Sequence, residues 1–211
     1  IEDDTGEDLI LDAKITVGNF ASDDSQDITR ITVNGQNVPI EDLSLGVENV
    51  DTDTYYTSIQ SAVDNAESGD TIEIEEGTYN EQVVLNRGEI SDLVIKAREG
   101  ASEKPLVYYE NSDNAEPTFA VDTDGVEIEG LEIKRNNSNG NVGQAVRVAG
   151  DNIVLNDNAY NVDNSEDSAI SVLTDSSGAS SVETFDEDIT SVSIEGGEIN
   201  AEGSSTSGLL I

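Results

Sequence analysis

The chain has 211 residues, with 46 acidic against 9 basic residues for a net charge of -37, and it contains no His, Cys, Met or Trp. That composition excludes Ser-His-Asp and Cys-His catalysis, ordinary zinc sites and disulfide frameworks, leaving carboxylate, hydroxyl, Tyr, Lys and Arg chemistry. Nine scattered basic residues offer no patch for a phosphate backbone or an anionic membrane surface, so neither nucleic acid nor membrane insertion is an expected partner.

The charge is spread along alternating strand patterns, and 35% of the residues are hydrophobic, which separates the chain from an acidic disordered tail. At 1 M salt the Debye length is about 3 Å, so the self-repulsion of such a surface is largely screened while its carboxylates stay hydrated. A folded protein of a halophile is expected.

Residues 1–48 read as a small antiparallel β module. Leu9, Leu11, Ala13, Ile15 and Val17 alternate with mostly polar residues, and a second strand around Ile28 to Val33 leads into Asn34-Gly35, the type I′ hairpin signal. The module resembles part of an immunoglobulin-like domain of the kind found on archaeal surface proteins, with too few strands to close a sandwich alone. Gly46 to Asp53 reads as the linker into a second unit, residues 49–211.

That unit opens with a short amphipathic helix within about residues 57–67. Thr57 is placed to cap it with Gln60 three residues later, and Ile59, Ala62, Val63 and Ala66 share one face that would plug an open end of a core. After Ser68-Gly69-Asp70 the period changes to two, with Ile72 and Ile74 alternating with Thr71, Glu73 and Glu75 up to Gly77. A repeat follows. Phe119-Ala120-Val121 with Gly125-Val126-Glu127-Ile128 recurs as Val146-Arg147-Val148 with Asn152-Ile153-Val154-Leu155, and Val126 to Gly130 is echoed by Val192 to Gly196. An insertion around Asp175 to Asp188 would bulge from the repeat, and Asn152, Asn156, Asn158, Asn161 and Asn164 read as turn formers, some stacked as amide ladders.

The order of helix, turn and repeated short strands resembles the pectin lyase-like superfamily of right-handed parallel β-helices, with its carbohydrate-binding and sugar-hydrolase repeats. The resemblance implies an all-β fold: a parallel β-helix with a short N-terminal capping helix, preceded by the antiparallel module. Gly77 to Val84, GTYNEQVV, is similar to the first motif of pectin methylesterases, and Gln144-Ala145-Val146 to their second, whose glutamine helps stabilise the oxyanion. The Gln-Asp-Thr and Asp-Phe-Ile-Phe-Gly segments that supply that family's aspartate pair do not occur. Gln144 therefore reads either as an oxyanion group or as the start of an ordinary rung.

Polysaccharide-lyase chemistry needs only a carboxylate-held Ca²⁺ to acidify a uronate and an Arg or Lys as base. Arg147 is the candidate base: it lies between inward Val146 and Val148, with Ala120 and Ser171 as small neighbours. Its alternative role is a surface cation paired with acids. Asp122 with Asp124, and Asp163 with Asp167, are candidate Ca²⁺ carboxylates, although neither pair completes an EF-hand loop. Asn136-Asn137-Ser138 is a candidate N-glycosylation sequon at Asn136.

The chain opens on Ile1 and lacks a signal peptide or an apolar run long enough to span a bilayer, so it reads as a processed piece of an exported precursor. Leu209 and Ile211 read as inward rung positions with no terminal cap, making the β-helix incomplete at its C-terminus. The expected protein is an extracellular or cell-surface structural or adhesive β-helix of a halophilic archaeon, homo-oligomeric or polymeric through its chain ends or presenting a face to surface glycans. The alternative is a lyase or esterase acting on acidic polysaccharide.

Overall fold

The computed structural model describes residues 30–33, 36–39, 46–86, 90–110, 116–136, 143–162, 168–172, 191–201 and 207–210. Strand β1 (Arg30–Val33) pairs antiparallel with β2 (Gln36–Pro39), Val33 opposite Gln36, the register expected from the Asn34-Gly35 hairpin signal. The expected strand from Leu9 to Val17 lies outside the described residues.

The linker expected from Gly46 to Asp53 is instead structured. Strand β3 (Val47–Asn49) pairs antiparallel with β4 (Thr54–Tyr56) on one side and β5 (Thr71–Ile74) on the other. The polar sequence hides this because Asn49 is a buried turn organiser: its Oδ1 accepts from Asp51 N and Thr52 N, and its Nδ2 donates to Asp70 Oδ2 at 2.7 Å. Asp53 then closes the hairpin in the left-handed region at φ 50.

Helix α1 (Ile59–Asp64) forms where predicted, but its N-cap is Ser58 and not Thr57, since the Ser58 side chain accepts from Ser61 N at 3.1 Å. Ile59, Ala62 and Val63 are buried, with Ala66 packed alongside, as the apolar stripe requires. The remaining strands are β6 (Thr78–Asn80), β7 (Val83–Leu85), β8 (Val94–Ala97), β9 (Leu106–Glu110), β10 (Phe119–Val121), β11 (Glu127–Glu129) and β12 (Glu132–Asn136). They continue as β13 (Gln144–Val148), β14 (Ile153–Asn156), β15 (Ala159–Val162), β16 (Ser168–Val172), β17 (Val192–Glu195), β18 (Glu198–Ala201) and β19 (Ser207–Leu210).

From β5 onward every third strand joins the same sheet. The orders are β17-β14-β11-β8-β5-β3-β4, β18-β15-β12-β9-β6 and β19-β16-β13-β10-β7, and all pairings beyond β5 are parallel. The chain thus visits three sheets in rotation and returns one strand further along each time, a strand-rich fold built on parallel sheets. Registers match the repeat read in the sequence: Val121 lies opposite Val148 and Val148 opposite Val172, while Ile95, Ile128, Leu155 and Ile194 form one row. Inward residues of the stacked strands, among them Val83, Phe119, Val146 and Ile170 at 0% exposure, make one core.

The corners between sheets are set by left-handed residues stacked in columns. Gly69, Asp92, Gly125 and Asn152 (φ 93, 57, 73 and 57) precede successive strands of the seven-stranded sheet, and Gly130, Asp157 and Gly196 (φ 74, 49 and 62) follow them. Only Gly, Asn and Asp adopt this conformation cheaply, which is why turns rich in these residues recur at the repeat period. Each column is also a hydrogen-bond ladder, with Gly69 N donating to Ser91 O, Asp92 N to Asp124 O and Gly125 N to Asp151 O.

Candidate functional site

The five-stranded sheet β19-β16-β13-β10-β7 carries Gln144 and Arg147, two of the residues singled out for chemistry. In β13 alternation sends Val146 and Val148 into the core and Arg147 outward, between Ala120 and Ser171 in register, as the sequence predicts. Those neighbours are 2% and 5% exposed, and the Arg147 side chain is 14% exposed. Its Nη2 lies 3.1 Å from Asp122 Oδ2 and its Nη1 3.9 Å from Glu116 Oε2, while its buried Nε has no hydrogen-bond partner. A lyase base must approach the substrate's α-carbon proton, whereas this guanidinium is the partner of two carboxylates.

The other candidates are dispersed. Gln144 opens β13 opposite Ser168; its carbonyl accepts from Thr118 N at 3.1 Å, and alternation sets its side chain on the face opposite Arg147. Asp124 accepts from Asp151 N at 2.8 Å through Oδ1, bracing one circuit's turn on the next. Asp122 serves Arg147, and no group of three His, Cys, Asp or Glu able to hold a metal ion occurs among the described residues. Asp163 and Asp167 lie outside the described residues, as do Asn137 and Ser138 of the sequon; Asn136 itself closes β12 opposite Glu110.

The GTYNEQVV segment acts as a joint. The Tyr79 hydroxyl sits 3.1 Å from Gly46 O and 3.0 Å from Glu75 O, so a side chain at Gly46 would collide with the hydroxyl oxygen. Burial, reinforced by the charges of Glu75 and Glu81, pushes the Tyr79 phenol up to about 12 and keeps it a donor. Glu81 accepts from Ile59 N at 2.9 Å and Gln60 N at 2.8 Å, satisfying the first turn of α1 from a loop over twenty residues away in sequence. Gln82 Nε2 donates to Pro117 O at 3.0 Å, tying the same segment to the next circuit.

Two further clusters escaped the sequence reading. Arg135 is fully buried in the inward register of β12, its Nη1 donating to Tyr109 O at 2.6 Å and its guanidinium 5.2 Å from the Tyr109 ring centroid. Its signal is period two, since Ile133 and Arg135 share a face. Arg98 is held by Glu48, Glu73 and Glu75, so one cation offsets part of the negative charge on the outward face where β3, β5 and β8 meet. Beyond it the outward row runs Glu73, Lys96, Glu129, Asn156, Glu195, where Lys96 pairs with Glu73 at 3.3 Å and Asn156 Nδ2 donates to Glu129 at 3.2 Å. A cation or amide between acids relieves like-charge stacking along the sheet.

The chain matches no protein-family model, no curated protein and no solved structure. Among the described residues no helix is long and apolar enough to cross a membrane.

Proposed function

We propose that this protein is a right-handed parallel β-helix of the pectin lyase-like type, serving as a structural or adhesive element at the surface of a halophilic archaeon and assembling through its ends. The hand of parallel strand crossovers supports right-handed winding, and a net charge of -37 supports a halophilic setting. The observation that carries assembly is the placement of exposed apolar side chains. Among the described residues the exposed large hydrophobics are Val50, Ile194 and Ile199, at 40%, 37% and 43%. Val50 belongs to the β3–β4 hairpin at one end of the sheets, and Ile194 and Ile199 lie on the terminal strands β17 and β18 at the other. Ile194 and Ile199 continue rows whose previous members, Leu155 and Tyr160, are 1% and 2% exposed, so among the described residues they are core-row positions with no next strand over them. End-to-end contact would cover them, and a head-to-tail contact repeats into a filament.

The engagement of Arg147 by Asp122 and Glu116 favours this structural reading over the carbohydrate-active enzyme. Light scattering of the full chain in molar NaCl tests it. Association that rises with protein concentration and is lost in the Ile194→Asp/Ile199→Asp variant is expected; a parent chain monomeric at every concentration, or turnover of an acidic polysaccharide to unsaturated products, would overturn it.

A further inference from the structure

Among the described residues β7 is the terminal strand of its sheet. Val83 N donates to Thr118 O at 2.8 Å, and Leu85 O accepts from Asp122 N at 2.9 Å, so these two residues face β10. In a parallel ladder the backbone groups of the residue between them point the other way, towards the place of a next strand. Both groups of Val84 are met there by one side chain: Gln60 Oε1 accepts from Val84 N at 2.7 Å, and Gln60 Nε2 donates to Val84 O at 3.2 Å. A carboxamide presents the same donor and acceptor as one residue of a neighbouring strand.

Gln60 is itself fixed. Its backbone N–H donates to Glu81 at 2.8 Å, and its Nε2 also reaches Asp64 Oδ1 at 2.7 Å. Space remains beside it: a cavity of about 360 Å³ lies between α1 and the β7 edge, lined by Val63, Asp64, Ala66, Val84, Asn86 and Ile90. At the pairing position of Val84 itself, the group that closes the edge is the Gln60 carboxamide.

We infer that Gln60 is an edge guard, an intramolecular contact that holds the pairing position of Val84 and keeps a strand of a second copy from adding to β7. Unpaired strand edges template pairing with other chains, and folded proteins block them by local devices. The first strand of the parallel part of the seven-stranded sheet, β5, is covered by a whole antiparallel strand, β3; at β7 one side chain does the equivalent work.

The test compares the full chain with Gln60→Ala and with Gln60→Ala/Val84→Pro, in molar NaCl, by amide exchange and light scattering. Val84→Pro removes the outward N–H without touching a donor of the β7–β10 ladder. Exchange at Val84 about tenfold faster in Gln60→Ala, with association beyond the parent's that the proline abolishes, is the expected result. Because the readout is a difference from the parent, it stands whether the parent is monomer or filament. Parent-like association in Gln60→Ala with the Val84 amide exposed, or extra association that survives the proline, would overturn the guard. So would failure of both Gln60→Ala and the milder Gln60→Glu to fold, which would make Gln60 a folding determinant alone.

Discussion

Asn158 → Ala is the substitution whose cost follows most directly from the geometry. Asn158 is 1% exposed at the corner between the seven-stranded sheet and the β15 sheet. Its Oδ1 accepts from Leu131 N at 2.9 Å, and its Nδ2 donates to Ile128 O at 2.8 Å and to the Tyr160 hydroxyl at 3.1 Å. Alanine strips the Leu131 N–H of its acceptor and removes a donor from Ile128 in a site without solvent. At about 1 to 3 kcal/mol for each buried group so orphaned, with a small cavity added, the expected loss is about 3 kcal/mol. Asn158→Asp keeps the acceptor but loses both donations and brings in a charge, so it should cost at least as much. Urea unfolding at fixed molar NaCl measures both. A loss below about 1 kcal/mol for the alanine variant would show that the corner relaxes around the gap and that the amide is not its fastener.

Val63→Asp should cost several kcal/mol, on the order of the penalty for an unpaired buried charge, because Val63 is 3% exposed beneath α1; a parent-like melting temperature would contradict the packing of that helix. Alkaline pH should destabilise the fold through Tyr160 and Tyr79, both pushed up to about 12 chiefly by burial. Raised folded values favour the protonated phenols, so this contribution is complete below pH 10 and lost as pH climbs towards 12; for buried Tyr160 it is on the order of 2 kcal/mol. Melting at fixed salt across that window checks it, and a flat profile would refute it. Arg98→Ala leaves Glu48, Glu73 and Glu75 facing one another, so its melting deficit should be larger in tens of millimolar NaCl than in molar NaCl; an equal deficit would mean that the cluster is not electrostatic.

What was legible in the sequence was periodicity. The alternation of Ile72 and Ile74, the repeat from Phe119 to Leu155 and the Gly/Asn/Asp turns each translate into a row or a column of the structure, because inward positions and left-handed corners leave chemical marks every circuit. Missed features depend on partners distant in sequence. Nothing near Asn49 announces that its amide reaches Asp70, and nothing near Ser58 announces that Glu81, rather than a local glutamine, completes the helix cap. The candidate site fared similarly. Arg147 lies where alternation puts it, yet its engagement by Asp122 and Glu116 depends on the turn after β10 and the segment before it, which no local pattern specifies.

Small-angle X-ray scattering of the full chain in molar NaCl, over a range of protein concentrations, tests assembly through the ends most directly. Stacked circuits joined end to end predict a particle whose length grows with concentration while its cross-section stays that of a single chain, the exposed rows of Ile194 and Ile199 being covered at each joint. A concentration-independent single-chain envelope, or growth that thickens the cross-section, would contradict it.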